Sequence, residues 1–162
     1  MKQTTVFFCS PHPKGFTFKL LESFLGNLKN INFIDVYSKK ILPCIDCKSC
    51  KCFGKCCLSD DICEIYRAFE NDDILIFATP VYYFSFPSPM KSILDRSQKY
   101  FSNRIINVSN RISFIVATCG SEKEFGITVL EKQIKMLSSL IGVDFLGCLF
   151  LSGTDKINSF LN

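Results

Sequence analysis

Residues 5–17 read TVFFCSPHPKGFT, and the rest of the chain repeats the pattern that they set. Residues 5–9 form a short apolar run that proline and glycine follow closely, which is typical of a buried parallel strand. Beyond the loop, apolar residues recur at helical spacing and predict an amphipathic helix. These residues are Phe18, Leu21, Phe24, Leu25 and Leu28. The stretch therefore predicts a strand, a polar loop and a helix in succession.

This order recurs along the chain. Further strands are predicted over residues 32–37, 73–79, 111–118 and 145–151. Helical stripes separate them, one starting at Asp61 with Glu64 in its first turn. Another predicted helix has Ser88 as its cap and Pro89 as its first residue. The last predicted helix begins with a capping box over residues 121–124. Such alternation predicts an α/β domain with a parallel central sheet and helices on both faces.

The bulk properties exclude several classes of protein. The chain has 162 residues, of which 48% are hydrophobic, so one packed core is expected. The net charge of +4 comes from scattered Lys and Arg rather than a basic stripe, which argues against nucleic acid as a partner. No apolar run approaches the roughly 20 residues of a membrane helix, and Met1 leads into a strand-like segment instead of a signal peptide. We expect a single cytoplasmic domain over residues 1–162 that makes no membrane contact.

Ligands of such a sheet bind beyond the carboxyl ends of its strands. The loops expected there span residues 9–17, 79–85 and 118–121. The first lacks a G-x-G-x-x-G pattern, so a Rossmann dinucleotide site is not supported. Ser10 and Thr17 bracket a loop that ends at a helix start, where N–H groups favour a phosphate; alternatively, both hydroxyls only cap the helix.

Two further features of these loops are ambiguous by themselves. His12, the single histidine, is either a phosphate contact or a solvated loop residue. The second loop places Tyr82 and Tyr83 after a proline at a strand end, with Phe84 and Phe86 close behind. This aromatic group either walls a planar ring or belongs to the ordinary core.

Together, these loops resemble those of the NAD(P)H-dependent FMN reductase and iron-sulfur flavoprotein branch of the flavodoxin-like families. The resemblance covers most of the chain and is carried by residues 9–17 (CSPHPKGFT), 42–50 (LPCIDCKSC), 59–61 (SDD), 78–84 (ATPVYYF) and 88–96 (SPMKSILDR). It implies a flavodoxin-like three-layer fold, with a five-stranded parallel sheet in the order 2-1-3-4-5 between two layers of helices.

The resemblance also implies a set of FMN contacts. The first loop holds the phosphate in this family, the loop after the third strand lines the isoalloxazine ring, and the loop after the fourth strand lines its other edge. The residues so assigned are Ser10, His12, Phe16 and Thr17 for the phosphate, and Pro80, Val81, Tyr82, Tyr83, Phe84, Thr118, Cys119 and Gly120 for the ring. Because His12 stands where arginine is more usual, the charge at the phosphate falls to that histidine, to backbone amides or to Lys14.

The implied function is that of an oxidoreductase passing electrons from NADH or NADPH through FMN to a quinone, a flavin or a protein acceptor. It needs no catalytic side chain, because the flavin performs the chemistry and backbone amides orient it. A second possibility is an iron-sulfur flavoprotein that carries electrons from ferredoxin-type donors, and a third is a flavin-free metal-binding or thiol-sensing module. Residues 154–162 are short for the family's closing helix, so one flank of the sheet is expected to be thinly covered or covered by a second subunit of a homodimer or larger homo-oligomer.

A cysteine-rich loop over residues 44–63 holds seven of the ten cysteines and marks a local site. Four of them give C-x2-C-x2-C-x5-C, a compact spacing that can offer four thiolates to a [4Fe-4S] cluster. An empty reduced loop, zinc or disulfides are the alternatives, and Cys52, Cys57 or Cys63 can replace the fourth ligand. The candidate ligands are Cys44, Cys47, Cys50 and Cys56.

Overall fold

A five-stranded parallel sheet forms the centre of the molecule, in the order β2-β1-β3-β4-β5. The computed structural model describes residues 2–103, 110–122 and 125–161. The strands are β1 (Thr4–Phe8), β2 (Ile31–Asp35), β3 (Ile74–Pro80), β4 (Ile112–Thr118) and β5 (Asp144–Leu151). The predicted fold class and strand order are confirmed.

Seven helices occur among these residues, together with a 3-10 turn at Val36–Ser38. They are α1 (Phe16–Leu25), α2 (Ser49–Phe53), α3 (Ile62–Asn71), α4 (Ser88–Arg96), α5 (Lys99–Ser102), α6 (Phe125–Leu140) and α7 (Thr154–Leu161). None of the helices in this part of the chain is long and apolar enough to cross a bilayer.

The sheet buries different side chains on its two faces because successive residues of a strand point to opposite sides. Phe7, Leu75 and Phe77 belong to a large core that includes residues of α3, α4 and α6. Val6 and Phe8 belong to a smaller core with Leu21 of α1. The helices therefore cover both faces, as the alternation of elements predicts.

The face that α1 covers is partly open at its edges. Phe33 on the outer strand β2 is 46% exposed, and Leu149 on the opposite edge strand β5 is 37% exposed. α7, which follows β5, has eight residues. A sheet edge with exposed apolar side chains is a common site of association between protein chains.

The predicted helix starts are only partly correct. Ser88 does not cap α4 but is its first residue, because the Pro87 carbonyl accepts the Lys91 N–H at 3.0 Å and Pro87 takes the cap position. Asp61 is the residue before α3, as predicted, yet its carboxylate accepts the Lys40 N–H instead of capping the helix. The proposed capping box includes residues 123 and 124, which lie outside the described residues.

Candidate functional site

The loops after β1, β3 and β4 meet around a cavity of about 450 Å³. Nine of the twelve residues that the sequence assigns to FMN line it: Ser10, His12, Phe16, Thr17, Pro80, Val81, Tyr82, Thr118 and Gly120. Tyr83, Phe84 and Cys119 do not. A volume in this range suits a cofactor-sized ligand, since ligand sites typically enclose roughly 300–1,000 Å³.

The first loop leads into α1 without a side-chain cap among the described residues. Gly15 occupies the cap position. Ser10 Oγ accepts the His12 N–H at 3.2 Å, and Thr17 lies inside the helix. The interpretation that Ser10 and Thr17 merely cap α1 is therefore wrong. The first-turn N–H groups of α1, which have no helical partner, are left for an anion at the cavity wall.

Gly15 keeps this loop tight. Its N–H donates to the His12 carbonyl at 3.0 Å, and a Cβ added at Gly15 would lie 3.0 Å from His12 Cβ. Lys14 and Lys19 also line the cavity. Lys19 is a residue that the sequence analysis missed; its position in the first turn of α1, four residues after Gly15, is the signal that could have found it. The two ammonium groups give the cavity a positive charge beside the helix start.

The second loop is a tight turn closed by a pair of backbone hydrogen bonds. The Tyr82 and Ser85 N–H groups each donate to the other residue's carbonyl at 3.0 Å. Tyr83 and Phe84 between them have φ angles of 47° and 61°, which defines a turn normally built from asparagine and glycine. Each left-handed non-glycine residue costs about 1–3 kcal/mol. Such cost is often found where a side chain must be presented for function.

The aromatic side chains of this turn point away from the core. Tyr83 is 97% exposed and Phe84 is 56% exposed, and their rings meet edge to face with centroids 6.2 Å apart. Phe86, in contrast, is buried. The alternative of ordinary core packing is therefore wrong for Tyr83 and Phe84 and correct for Phe86. The exposed pair forms an aromatic lip beside the cavity that Tyr82 lines.

The third loop binds to the other two through hydrogen bonds. Thr118 Oγ1 lies 2.7 Å from Thr17 Oγ1, and the Thr118 carbonyl accepts the Val81 N–H at 2.7 Å. Cys119 contributes its backbone to the start of α7, because its carbonyl accepts from the Thr154 N–H at 3.1 Å. The three loops thus form one hydrogen-bonded rim.

Thr154 and Asp155 also line this cavity, although no pattern in the sequence indicates them. Asp155 approaches so closely that a Cβ added at Gly120 would lie 2.4 Å from its carboxylate oxygen. A larger residue at position 120 would therefore have to displace the Asp155 side chain. Only the folded chain brings these residues together, since α7 lies more than thirty positions beyond the third loop.

A second cavity, of about 170 Å³, lies in the cysteine-rich segment. All four predicted cluster ligands, Cys44, Cys47, Cys50 and Cys56, line it. The segment turns sharply at Asp46 and Lys48, whose φ angles are 52° and 61°, and again at Gly54 after α2. These turns fold the segment back on itself.

The sulfur atoms of this segment do not surround one point. In the described ranges, no group of three or more His, Cys, Asp or Glu side chains is arranged to hold a metal ion. Instead, Cys47 Sγ lies 3.1 Å from Cys57 Sγ, and Cys56 Sγ accepts from Arg96 Nη2 at 3.3 Å. The donor set has the chemistry of a cluster site, but the arrangement of the thiols does not fit a bound cluster.

The Cys47 and Cys57 thiols influence each other. The hydrogen bond from the Ser49 N–H, followed by the bond with Cys57, lowers the pKa of Cys47. The same sulfur–sulfur hydrogen bond raises the pKa of Cys57. All ten cysteines of the chain are free thiols.

A clasp of three residues closes the cysteine-rich segment onto the core. The side chains of Arg96 and Asp60 form a fully buried ion pair. Asp60 also accepts the Leu42 N–H at 2.8 Å, and Arg96 Nη1 donates to the Leu42 carbonyl at 3.3 Å. Burial raises the pKa of Asp60, but the Arg96 guanidinium and the backbone N–H groups outweigh it and leave that pKa below its usual value. The clasp ties both ends of the segment to α4.

The sequence matches the family model of NADPH-dependent FMN reductases over residues 3–155. The chain belongs to this family. As a member of the FMN reductase family, it is 37% identical over 95 residues to an iron-sulfur flavoprotein of Archaeoglobus fulgidus. That match covers 56% of this chain and 43% of the relative, so the chain spans less than half of the relative's length.

Solved structures show the same fold. The NAD(P)H:quinone oxidoreductase of Methanothermobacter marburgensis matches with a TM-score of 0.70 at 16% identity, over 93% of this chain and 83% of that one. An FMN-dependent NADH-azoreductase of Bacillus anthracis in complex with FMN matches with a TM-score of 0.65 at 15% identity, over 94% and 88% of the two chains.

The residues of the larger cavity fit the phosphorylated flavin after which the family is named. The start of α1 offers unpaired N–H groups and two nearby lysines for a phosphate. Tyr82 lines the cavity and offers an aromatic wall for a planar ring, and Gly120 lines it as well. The cavity therefore provides complementary surfaces for both ends of FMN.

Proposed function

We propose that this chain, as one domain over residues 1–162, is an FMN-dependent oxidoreductase that transfers electrons from NADH or NADPH to a quinone, a flavin or a protein. The observation that carries the proposal is the 450 Å³ cavity, in which an uncapped helix start and three hydrogen-bonded loops face the same space. Membership of the FMN reductase family supports the same activity.

The phosphate end of FMN is assigned to the first loop. The N–H groups at the start of α1 donate to the phosphate oxygens, and Ser10 and Thr17 supply hydroxyls. Lys14 and Lys19 add positive charge, which compensates for the absence of an arginine at position 12. Phe16 and His12 complete the wall on this side.

The ring end is assigned to the second and third loops. Bound FMN supplies the hydride and one-electron chemistry. Val81 and Tyr82 contact the ring from one side, and Thr118 and Gly120 contact it from the other. The hydrogen bond from Val81 to Thr118 fixes the spacing of the two loops before the cofactor binds. Such preorganisation reduces the entropy that binding must overcome.

The experiment is flavin binding by the full chain, followed by the oxidation of NADH and NADPH in the presence of a quinone. We expect FMN to bind more tightly than riboflavin, because only FMN carries the phosphate. Lys14→Gln should weaken FMN binding by about fivefold, corresponding to roughly 1 kcal/mol, and should leave riboflavin binding unchanged. Lys29→Gln, a lysine outside the cavity lining, is the matched control.

Two results would contradict the proposal. Equal affinity for FMN and riboflavin would exclude a phosphate site at the start of α1. A flavin that binds but stays oxidised in the presence of both nicotinamides would exclude the reductase activity and favour an electron carrier.

We infer a homodimer or larger homo-oligomer and a cytoplasmic location. The exposed apolar residues Phe33 and Leu149 at the two sheet edges support association, and sedimentation of the full chain tests it. Ten free thiols in one chain support a reducing compartment, where disulfides are rare.

The second candidate function is an iron-sulfur flavoprotein that carries electrons between ferredoxin-type donors and an acceptor. The shared cavity of Cys44, Cys47, Cys50 and Cys56 favours it, as does the relationship to iron-sulfur flavoproteins. A [4Fe-4S] cluster on these four residues would replace Cys57 Sγ as the partner of Cys47 Sγ. An absorption spectrum of anaerobically purified protein, with iron and acid-labile sulfide assayed on the same sample, tests this candidate.

A further inference from the structure

In the cysteine-rich segment, the candidate ligand Cys47 is paired with Cys57, which the sequence offers only as a replacement for the fourth ligand. Cys47 Sγ and Cys57 Sγ are 3.1 Å apart, and both residues are exposed. Cys57 is adjacent to Cys56 in the chain, yet the two side chains have different partners: Cys56 Sγ contacts the buried Arg96, whereas Cys57 Sγ contacts Cys47. The second cavity is lined by Cys56 but not by Cys57.

We propose that Cys47 and Cys57 form a redox-active dithiol that reacts with low-molecular-weight disulfides such as glutathione disulfide. The proposal goes beyond the flavin site and needs no flavin. It rests on the distance between the two sulfurs, on their exposure and on the backbone turns that hold the two cysteines together.

The backbone on both sides holds the two cysteines together. Lys48, directly after Cys47, has a left-handed conformation, and its carbonyl accepts the N–H groups of Lys51 and Cys52 at 3.0 and 3.1 Å. Gly54 ends α2 in the left-handed conformation, and its N–H donates to the Cys50 carbonyl. These two turns bring the chain back so that Cys57 meets Cys47. Little chain entropy remains to be lost when a bond forms between them.

The clasp and a neighbouring hydrogen bond fix the outer ends of the same segment. Asp60 and Asp61 accept the N–H groups of Leu42 and Lys40 at 2.8 and 2.7 Å. The pair therefore lies within a closed loop that is anchored to α4 through Arg96. Oxidation of the pair needs a small approach of two sulfurs and no opening of the core.

The reaction balances as two thiol–disulfide exchanges. In the first, one cysteine thiolate attacks glutathione disulfide: a bond forms between the two sulfurs, the original disulfide bond breaks, and one glutathione thiolate leaves and takes up a proton. In the second, the other cysteine thiolate attacks the protein sulfur of this mixed disulfide and releases the second glutathione. The two cysteines lose two electrons and two protons, and one glutathione disulfide becomes two glutathione thiols.

For the test, the full chain is purified anaerobically and assayed for iron and sulfide. It is then treated with glutathione disulfide. Intact mass and peptide mapping then locate the products. We expect a Cys47–Cys57 bridge that dithiothreitol reverses, with no glutathione retained on either residue. Cys57→Ser should abolish the bridge and leave a glutathionyl group on Cys47, and Cys47→Ser should leave it on Cys57. Cys63→Ser, which removes another exposed thiol, should form the bridge as the wild type does.

Three outcomes would overturn the proposal. Bridges spread over several cysteine pairs would show that the segment has no preferred pair. A stable glutathione adduct on Cys47 in the wild-type chain would show that Cys57 does not reach it. Retained iron and sulfide with an unmodified Cys47 would assign this residue to a cluster, while leaving the flavin proposal untouched.

Discussion

The hydroxyl oxygens of Thr17 and Thr118 lie 2.7 Å apart in the buried rim of the larger cavity, although 101 positions separate the two residues. Thr17 comes from the first turn of α1 and Thr118 is the last residue of β4. A buried hydroxyl pair of this kind is satisfied only while both partners are present. The contact therefore couples the loop assigned to the phosphate with the loop assigned to the ring.

This coupling predicts a non-additive response to valine substitutions. Thr17→Val and Thr118→Val should each destabilise the protein by about 1–3 kcal/mol, because each leaves one buried hydroxyl without a partner. The double variant should lose clearly less free energy of unfolding than the two single variants lose together, because it removes both polar groups. Urea unfolding of the four proteins measures the cycle. Additive free energies would show that the two hydroxyls do not interact.

The buried ion pair between Arg96 and Asp60 predicts a large effect at the clasp. Arg96→Met should lower the free energy of unfolding by about 3–5 kcal/mol, because it leaves the Asp60 carboxylate buried without its cation. Lys91→Met on the same helix is the control. Lys91 pairs with Asp95 four residues later, but each side chain is nearly half exposed, so the change in the free energy of unfolding should stay within about 0.5 kcal/mol. Equal losses in the two variants would contradict the role of the clasp.

The lowered pKa of Asp60 predicts acid sensitivity of the folded state. Because the folded protein holds this pKa below its unfolded value, the stabilisation is complete above the unfolded value of about 4 and is lost as the pH falls through the folded value. The free energy of unfolding should therefore decrease more steeply below about pH 4 in the wild type than in Asp60→Asn. Denaturation at a series of pH values measures both slopes. Identical slopes would show that Asp60 does not contribute.

The turn at Tyr83 and Phe84 predicts opposite effects on stability and on flavin binding. Tyr83→Asn together with Phe84→Gly places the preferred residues at the two left-handed positions and should raise the free energy of unfolding by about 1 kcal/mol or more. The same change removes the aromatic lip and should weaken FMN binding. Thermal unfolding and flavin titration of the double variant check the two halves. A variant with greater stability and unchanged FMN affinity would show that the lip does not contact the cofactor.

Much of the fold could be predicted because its signal is local. Each β-strand is a short apolar run, and each long helix has an apolar face at helical spacing, so the type and order of these elements follow from the sequence. The boundaries were less accurate: β2 ends at Asp35 because its carboxylate accepts the Tyr37 N–H at 3.0 Å and starts a 3-10 turn. A local hydrogen bond of this kind is not visible in hydrophobic periodicity.

The candidate site was predictable where it follows strand ends and not where it depends on distant chain segments. Thr154 and Asp155 reach the cavity through contacts with the loop at Gly120, which no spacing in the sequence indicates. The left-handed turn was also hidden, because Tyr83 and Phe84 are not the residues that normally form it. The cysteine spacing identified the right segment but not the pairing of Cys47 with Cys57.

Helix α4 begins three residues after the aromatic turn and ends at Arg96, against the cysteine-rich segment. Its nine residues, at about 1.5 Å each, give it a length of roughly 13 Å, and its last residue lines the smaller cavity. Deleting one residue would shorten the helix only slightly, but it would rotate the guanidinium by about 100° away from Cys56 and Asp60. The direction in which Arg96 points from this helix, more than the length of the helix, therefore maintains its contacts with Cys56 and Asp60.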